Sequence, residues 1–213
     1  MKKGIIVFIL VIMAVSLVSA FEVSGRILTQ GIRRNLSLAG DEFWYDIIAA
    51  GGEIGIGFED PETELGMFLQ IGVSVAGRKN LVGYNDYFSS VKGRMNVYDY
   101  NAALGLKWEH SLEKIGLYVD IHLSWDSVAF QNGSVQEWKR LSFHTFGMGF
   151  ATGLELPVRG GVNLILECSY DIGFISFTAE RERVRWKTSG ATVERISSSS
   201  CATKLLLGAI SRF

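Results

Sequence analysis

Ser142 and His144 are residue types that acyl-transfer chemistry uses, because a histidine within reach can act as general base for a serine hydroxyl. Their spacing of two residues places both side chains on the same face of a strand. No acidic residue is placed to orient the imidazole, and a pair of polar residues at the membrane interface explains the two positions better than a catalytic pair does. The sequence has no HExxH motif, no phosphate-binding glycine loop and no Cys-His metal spacing. We therefore expect no enzyme, no metal and no cofactor.

A second set of polar residues alternates with apolar neighbours, so its members face the opposite side of each strand from the apolar ones. The set is Glu53, Gln70, Asp99, Asn101, Lys107, Tyr118, Asp120, His122, Glu155, Glu167, Asp171 and Lys204. Arg26 joins it if the even positions of the first strand point the same way. Acids outnumber bases in this set, and charges removed from bulk water need partners. Symmetric folding of the neighbouring hairpins predicts Lys204 beside Asp171 and Asn101 near His122.

The segment from Ile115 to Trp125 shows the alternation most clearly, since every odd position is apolar and the residues between are Gly, Tyr, Asp, His and Ser. A period of two predicts a strand with one apolar and one polar face. The same pattern recurs along the chain and predicts eight strands, at about 22–30, 42–58, 64–77, 96–109, 115–125, 142–156, 162–174 and 199–213.

Alternation is also found in soluble β-sandwiches, but three further features favour a membrane barrel. Short connections near 59–63, 110–113 and 157–160 alternate with long ones at 31–41, 78–95, 126–141 and 175–198, as in outer-membrane barrels with short periplasmic turns. Aromatic residues mark the ends of the apolar faces, as interfacial girdles do: Trp44, Tyr98, Trp125, Phe58, Trp108 and Phe213. The polar faces are rich in glycine, which suits a narrow lumen. The pattern predicts an all-β, eight-stranded, antiparallel up-and-down transmembrane barrel.

The first 20 residues have the layout of a signal peptide: basic Lys2 and Lys3, an apolar run over 5–18, and small residues before a cleavage site between Ala20 and Phe21. An uncleaved anchor is the alternative. We predict a signal peptide at 1–20 and a barrel domain at 21–213. No later run approaches the roughly 18 apolar residues that a membrane helix needs.

Charge and cysteine content exclude or narrow other possibilities. The formal charge is −1, or −3 without the two leader lysines, which gives no electrostatic support for a nucleic-acid partner. Cys168 and Cys201 are the only cysteines, and both lie on apolar faces. A disulfide is one interpretation; the expected register does not place them opposite one another, which favours two free, lipid-facing thiols.

The final strand, Lys204 to Phe213, carries Leu205, Leu207, Ala209 and Phe213 on one face. With the leader and the eight strands, it resembles the small outer-membrane β-barrels, which include the OmpA membrane domain, OmpX and OmpW, and the OmpW type is preferred. The resemblance implies an outer-membrane location with both termini in the periplasm and four surface loops. It also implies that Phe213 belongs to a signal read by the barrel assembly machinery.

The function we expect is that of a small OmpW-like channel or porin for small solutes, with the polar set lining its lumen. In the alternative, the same residues form a closed plug, and the surface loops contact host or envelope ligands as an adhesin or envelope-structural protein. Ser142 and His144 resemble the pair of the lipid A deacylases, although there the histidine comes first. Outer-membrane lipid is the expected surrounding in every case.

Overall fold

The computed structural model describes residues 20–38, 41–60, 63–76, 81–84, 95–112, 114–132, 140–158, 160–178 and 196–213. They form nine strands: β1 (Ala20–Leu38), β2 (Asp41–Asp60), β3 (Leu65–Ala76), β4 (Leu81–Tyr84), β5 (Met95–Leu112), β6 (Ile115–Asn132), β7 (Arg140–Pro157), β8 (Val162–Thr178) and β9 (Ile196–Arg212). Within the described residues there is no helix long and apolar enough to cross a membrane, a finding that does not concern crossing by strands.

Eight of these strands close into a barrel, because β1 pairs with β2 on one side and with β9 on the other. The order around the barrel is β1, β2, β3, β5, β6, β7, β8, β9, and all neighbours are antiparallel. The four-residue β4 pairs with β2 beyond the end of β3. The predicted eight-stranded up-and-down barrel is confirmed.

The period of two in the sequence becomes an inside and an outside in the barrel. On β3, for example, Leu65, Leu69 and Val73 are exposed, whereas Gly66, Gln70 and Ser74 face inward. The same division holds on the other strands, so the large apolar side chains form the outer surface. An outward apolar band of this kind is typical of membrane barrels.

The strands are staggered by ten residues around the barrel. The chain of directly paired residues that starts at Glu22 passes through Gly57, Phe68, Gly105, His122, Gly149, Asp171 and Ala202, and returns to β1 at Ile32, ten residues later. For eight strands this stagger corresponds to a strand tilt of about 40°, within the usual range for barrels. The stagger sets which side chains meet across the lumen.

The connections at the two ends of the barrel differ in length. At one end, here called the turn end, β2–β3, β5–β6 and β7–β8 are joined by short turns; the other is called the loop end. The turns adopt left-handed backbone where they reverse, with φ of 58° at Glu64, 80° at Gly160 and 76° at Gly161. Glycine reaches this region without steric cost.

Several strands extend further towards the loop end than predicted. β1 and β2 pair as far as Leu38 and Asp41, so the predicted long loop at 31–41 is mostly strand. β5 and β6 pair as far as Met95 and Asn132, which shortens the predicted loop at 126–141. Backbone hydrogen bonds continue the ladder where the apolar alternation ends, which is why periodicity misses these residues. Residues 1–19 of the predicted leader 1–20, and most of the predicted loops 78–95 and 175–198, lie outside the described residues.

Candidate functional site

The predicted polar set lies inside the barrel. All of its members, Glu53, Gln70, Asp99, Asn101, Lys107, Tyr118, Asp120, His122, Glu155, Glu167, Asp171 and Lys204, are at most 7% exposed. The Arg26 side chain also points inward and is 7% exposed. The inward polar side chains fall into three groups, stacked from the turn end towards the loop end.

The turn-end cluster contains four carboxylates and two cations: Glu22, Glu59, Glu109, Glu155, Lys107 and Arg212. Arg212 Nε lies 2.6 Å from a Glu22 oxygen, and its terminal nitrogen contacts Glu59 at 3.2 Å and Glu155 at 2.9 Å. It also pairs with Glu109. Lys107 Nζ lies 2.9 Å from Glu22 Oε2. Two cations from β5 and β9 therefore hold acids from four strands.

This cluster contains the one group of acidic side chains with metal-ligand spacing among the described residues, Glu22, Glu59 and Glu109. Carboxylate oxygens are suitable ligands for hard divalent cations. Here, however, Arg212 and Lys107 already lie among these oxygens and pair with them. The group is therefore an ion-pair cluster, and we assign no metal to it.

The central cluster consists of Arg26, Glu53, Gln70, Tyr118 and Glu167. Arg26 donates to Glu167 Oε2 at 2.7 Å, and the Tyr118 hydroxyl donates to the same oxygen at 2.5 Å. Glu53 lies 3.6 Å from the guanidinium. The Gln70 carbonyl accepts from both terminal nitrogens of Arg26, at 2.8 and 2.9 Å. Five strands thus meet at one arginine.

The histidine cluster lies next towards the loop end and consists of Asp120, His122, Asp171 and Lys204. The His122 ring bridges two carboxylates: Nδ1 lies 2.7 Å from Asp120 and Nε2 lies 2.6 Å from Asp171. Lys204 Nζ lies 2.9 Å from the second oxygen of Asp171. A histidine held by two acids is a general-base arrangement, but among the described residues no nucleophile contacts it.

Inward glycines provide the space that these side chains occupy. A Cβ on Gly149 would overlap His122 and Asp171, and a Cβ on Gly153 would overlap the Tyr118 ring. Gly105 has the same relation to His122 and Phe68. Gly149 and Gly153 on β7 therefore accommodate side chains from the two neighbouring strands.

Polar and charged side chains surround a small cavity in the described part of the interior. This cavity, of about 20 Å³, lies between the turn-end cluster and Asp120. A much larger groove, of about 1070 Å³, is lined mainly by outward apolar residues such as Ile27, Ile54 and Leu207. This groove belongs to the outer surface of the barrel.

Of the two side-chain contacts predicted between adjacent strands, one forms and the other does not. Lys204 pairs with Asp171, as predicted, although its directly opposite residue is Ser169. Asn101 lies opposite Asp126, and His122 lies opposite Gly105, so the prediction that Asn101 lies near His122 is wrong. The β5–β6 turn is centred two residues later than assumed, which shifts every pair by four positions.

Sequence reasoning missed several interior residues. Glu22, Glu109 and Arg212 carry much of the turn-end cluster, and Gln30 donates to Ser74 at 2.5 Å and to Asp99 at 2.6 Å. Glu109 and Arg212 lie on the same inward face as polar residues that were predicted on their strands. Glu22 and Gln30 belong to β1, where the alternation of apolar and polar residues is least regular. They would have been identified if the alternation of inward and outward positions had been continued to the last paired residue of each strand.

No protein-family model and no curated protein matches the sequence. Solved structures do match. Neisserial surface protein A is 12% identical with a TM-score of 0.55, and the match covers 91% of this chain and 97% of that one. Outer membrane protein OprG from Pseudomonas aeruginosa is 9% identical with a TM-score of 0.53, covering 92% and 96%. The chain has the fold of the small eight-stranded outer-membrane β-barrels. The outer membrane protease OmpT from Escherichia coli also matches, at a TM-score of 0.42, which is too low to support any argument.

On the outside of the barrel, the His144 ring stacks on the Trp125 ring. The ring centroids are 6.0 Å apart, and the angle between the ring planes is 9°. The Ser142 side chain lies outside the described part, so the predicted pair is not tested. At the turn end, the Phe21 and Phe213 backbones pair at 2.9 and 3.3 Å, next to the Phe58 ring. These contacts join the first and last barrel strands; cleavage between Ala20 and Phe21, and recognition of Phe213, stay predictions.

Proposed function

We propose that this chain is a closed outer-membrane barrel that acts through its ends and not as an open diffusion pore. The observation that carries the proposal is the interior network: three ion-pair clusters occupy the described part of the lumen, and the cavity between the turn-end cluster and Asp120 has a volume of only about 20 Å³. A lumen filled by its own side chains is usual for eight strands. Under this proposal the turn end lies in the periplasm with both termini, and the loop end faces outward.

The network is also expected to fix the shape of the barrel. Arg26, Lys107, Lys204 and Arg212 each bind acids from other strands. The Arg26–Glu167, Lys107–Glu22 and Arg212–Glu109 pairs connect strands that do not touch through backbone hydrogen bonds, and Lys204–Asp171 joins the neighbouring strands β9 and β8. Removing one partner of a buried ion pair typically costs about 3–5 kcal/mol, because the other charge stays buried without compensation. The pairs therefore favour a rigid interior. In this proposal the partners are outer-membrane lipid, the barrel assembly machinery and, through the loops, host or envelope ligands.

An OmpW-like channel for small solutes is the second candidate. Two observations favour it: nine buried carboxylates face two buried lysines and two arginines, and the buried polar atoms Gln30 Oε1, Asn101 Nδ2 and Ser124 Oγ have no protein hydrogen-bond partner. Groups of this kind usually bind internal water. A hydrated, acidic interior would favour cations and neutral solutes over anions.

Liposome swelling separates the two candidates. The refolded chain from Phe21 to Phe213 is reconstituted, checked for heat-modifiable gel mobility, and exposed to arabinose, glycine or glutamate, with a large porin as positive control. The closed barrel predicts swelling no faster than that of empty liposomes for each solute. Swelling that is faster with arabinose and slower with glutamate would instead support the channel.

A further inference from the structure

We propose that the lumen contains a binding site for a hard divalent cation of the calcium type, between the histidine cluster and the loop end. Its ligands, here called the cation site, are side-chain oxygens of Gln30, Asp99, Asn101, Ser124 and Asp126, all of which are buried. The inference goes beyond the closed barrel proposed above and does not depend on it, because an ion can bind at this level whether or not solutes cross the lumen.

Three of these side chains have a buried polar atom without a hydrogen-bond partner among the described residues: Gln30 Oε1, Asn101 Nδ2 and Ser124 Oγ. For Ser124 the reason is local, because the residues paired with it are Ala103 and Gly147, and neither has a polar side-chain atom. Buried polar groups without a partner are uncommon in folded proteins, and each usually indicates a bound water or ion. Three such atoms therefore point to a ligand in this part of the lumen.

The three side chains lie at about the same height in the barrel. The stagger of ten residues over eight strands displaces the height by about 1.25 residues per strand, and this places Gln30, Asn101 and Ser124 within about one residue of each other along the barrel. Gln30 starts three strands away from β5, but its amide nitrogen donates to Asp99 Oδ2 at 2.6 Å. The oxygen of the same amide group is thus held on the Asn101 side of the lumen.

Two carboxylates flank Asn101. Asp126 is its directly paired residue on β6, and Asp99 is the next inward residue of β5 towards the loop end. Paired side chains have Cβ atoms about 4.5–5.5 Å apart, so both acids are within reach of the Asn101 amide. A carboxylate has two oxygens and about four lone-pair positions, so each acid can bind an ion in addition to its contacts within the protein.

The chemistry of this set fits a hard cation. Calcium takes about 6–8 oxygen ligands from carboxylates, side-chain amides, hydroxyls and water, and it tolerates irregular geometry. The Asn101 amide lies over Gly72 and presents its oxygen in place of the unpartnered nitrogen when it turns about its last side-chain bond. The ligands come from three strands and share no spacing in the sequence, which is why sequence motifs predict no metal here.

Charge distinguishes an ion from a simple bound water. Among the side chains that the structure describes, Lys204 is the one cation at this height, and its Nζ lies 2.9 Å from Asp171. Lys204 also lies within electrostatic range of Asp126. One lysine thus serves both acids, while Asp99 receives a neutral amide from Gln30. Carboxylates removed from bulk water need compensating charge, and a divalent cation supplies it.

The loop end provides a polar path to the cation site along β7, β8 and β9. Thr145 lies directly opposite Asp126, and its hydroxyl is 3.3 Å from the Ser176 hydroxyl. The side chains of Thr145 and Ser200 both lie over Gly173. Inward residues of the other five strands at this height are apolar. An ion that enters from the loop end therefore reaches Asp126 past these hydroxyls.

Calcium titration tests the cation site. The refolded chain from Phe21 to Phe213 is stripped of metal with a chelator, held in zwitterionic detergent and titrated with CaCl2 in a calorimeter, with the detergent buffer as blank. We expect one calcium ion per chain. Asn101→Leu nearly keeps the side-chain volume but removes the amide, and it should weaken binding at least tenfold. Wild type should bind MgCl2 at least tenfold more weakly than CaCl2, because Mg²⁺ needs near-ideal octahedral geometry.

Glu59→Gln is the matched control, because Glu59 belongs to the turn-end cluster, whose acids also have metal-ligand spacing. This variant should bind calcium like wild type. The inference is overturned if wild type releases no heat beyond the blank, if folded Asn101→Leu binds like wild type, or if Glu59→Gln loses binding. Equal affinity for magnesium and calcium would also overturn it, since a cage of protein oxygens should discriminate between the two ions.

A second variant keeps the test valid if Asn101→Leu does not show heat-modifiable mobility. Ser124→Ala removes one unpartnered hydroxyl and should weaken calcium binding severalfold; unchanged affinity would overturn the inference. Urea unfolding gives an independent readout, because an ion that binds the folded state raises its stability. Calcium should raise the urea midpoint of wild type and of Glu59→Gln, but not of Asn101→Leu. Ion currents in wild type would overturn the closed barrel alone, so the two failures are distinguishable.

Discussion

The ring of Tyr118 on β6 lies directly over Gly153 on β7, its paired residue, and its hydroxyl donates a 2.5 Å hydrogen bond to Glu167 on β8. A large inward side chain is thus accommodated by the absence of one on the next strand. Aromatic residues that cover glycines on neighbouring strands are a known means of stabilising barrels. The same relation joins His122 to Gly105 and Gly149, so the inward glycines and the network depend on each other.

Filling the space over Gly153 should therefore destabilise the barrel. Gly153→Val would displace the Tyr118 ring and weaken its bond to Glu167, and overpacking typically costs about 1–3 kcal/mol. Urea unfolding of the refolded protein in lipid vesicles measures the change. Gly25→Val is the control, because a Cβ at Gly25 meets no atom within 4 Å. Equal losses for the two variants would show that the Tyr118–Gly153 contact has no special role.

The Lys204–Asp171 pair should show strong coupling in a double-mutant cycle. Lys204→Met leaves Asp171 buried beside His122 with one cation fewer, and Asp171→Asn leaves Lys204 without its closest acid. Each single change is expected to cost about 3–5 kcal/mol, and the double variant less than the sum of the two. The measurement is the free energy of unfolding in urea. Strict additivity would contradict a direct interaction.

Arg212→Gln should destabilise the barrel more at pH 8 than at pH 4. Without Arg212, the carboxylates of Glu22, Glu59, Glu109 and Glu155 lose a shared cation. At low pH these acids can bind protons and relieve their repulsion, so the difference from wild type rises with pH. We expect a loss of about 3 kcal/mol at pH 8, the lower end of the range for buried pairs because Arg212 is partly exposed, measured by urea unfolding across the pH range.

Arg33→Gln is the matched control for this prediction, since Arg33 pairs with Asp46 on the exposed outer face of β1 and β2. Exposed pairs contribute little to stability, so this variant should follow the wild-type pH profile. A pH-independent effect of Arg212→Gln would contradict the assigned role of the cluster.

Cys168 and Cys201 should both stay reduced. Cys168 lies opposite Leu205, and Cys201 lies opposite Ile172, so neither faces the other across a strand pair. The expectation from the sequence is thus supported by the register. Gel mobility should be identical with and without reductant, and a membrane-permeant maleimide should label two thiols per folded chain. A single labelled thiol or a reductant-dependent shift would contradict this assignment.

The sequence was enough to predict which side chains share one face of a strand. It was not enough to predict the register, that is, which residues pair between neighbouring strands. Alternation alone assigned Glu53, Glu167 and Asp171 to one face, because a strand has only two faces. The β5–β6 pairing was misplaced by four residues because the turn centre was inferred from polarity, and backbone pairing continues through Ser111 and Leu112. The predicted contact between Lys204 and Asp171 forms nevertheless, because the long lysine side chain reaches a residue diagonally opposite on the neighbouring strand. The stagger of ten, which decides which charges meet, depends on every turn and leaves no local signal in the sequence.

Planar-bilayer conductance of the refolded chain from Phe21 to Phe213 tests the closed barrel most directly. Protein that shows heat-modifiable mobility should insert without discrete current steps in 1 M KCl, and Asp120→Asn should be equally silent, because the lumen is filled by ion pairs at three levels. Reproducible steps in wild type, with a size or cation selectivity that changes in Asp120→Asn, would contradict the closed barrel and support a channel lined by Asp120 and its neighbours.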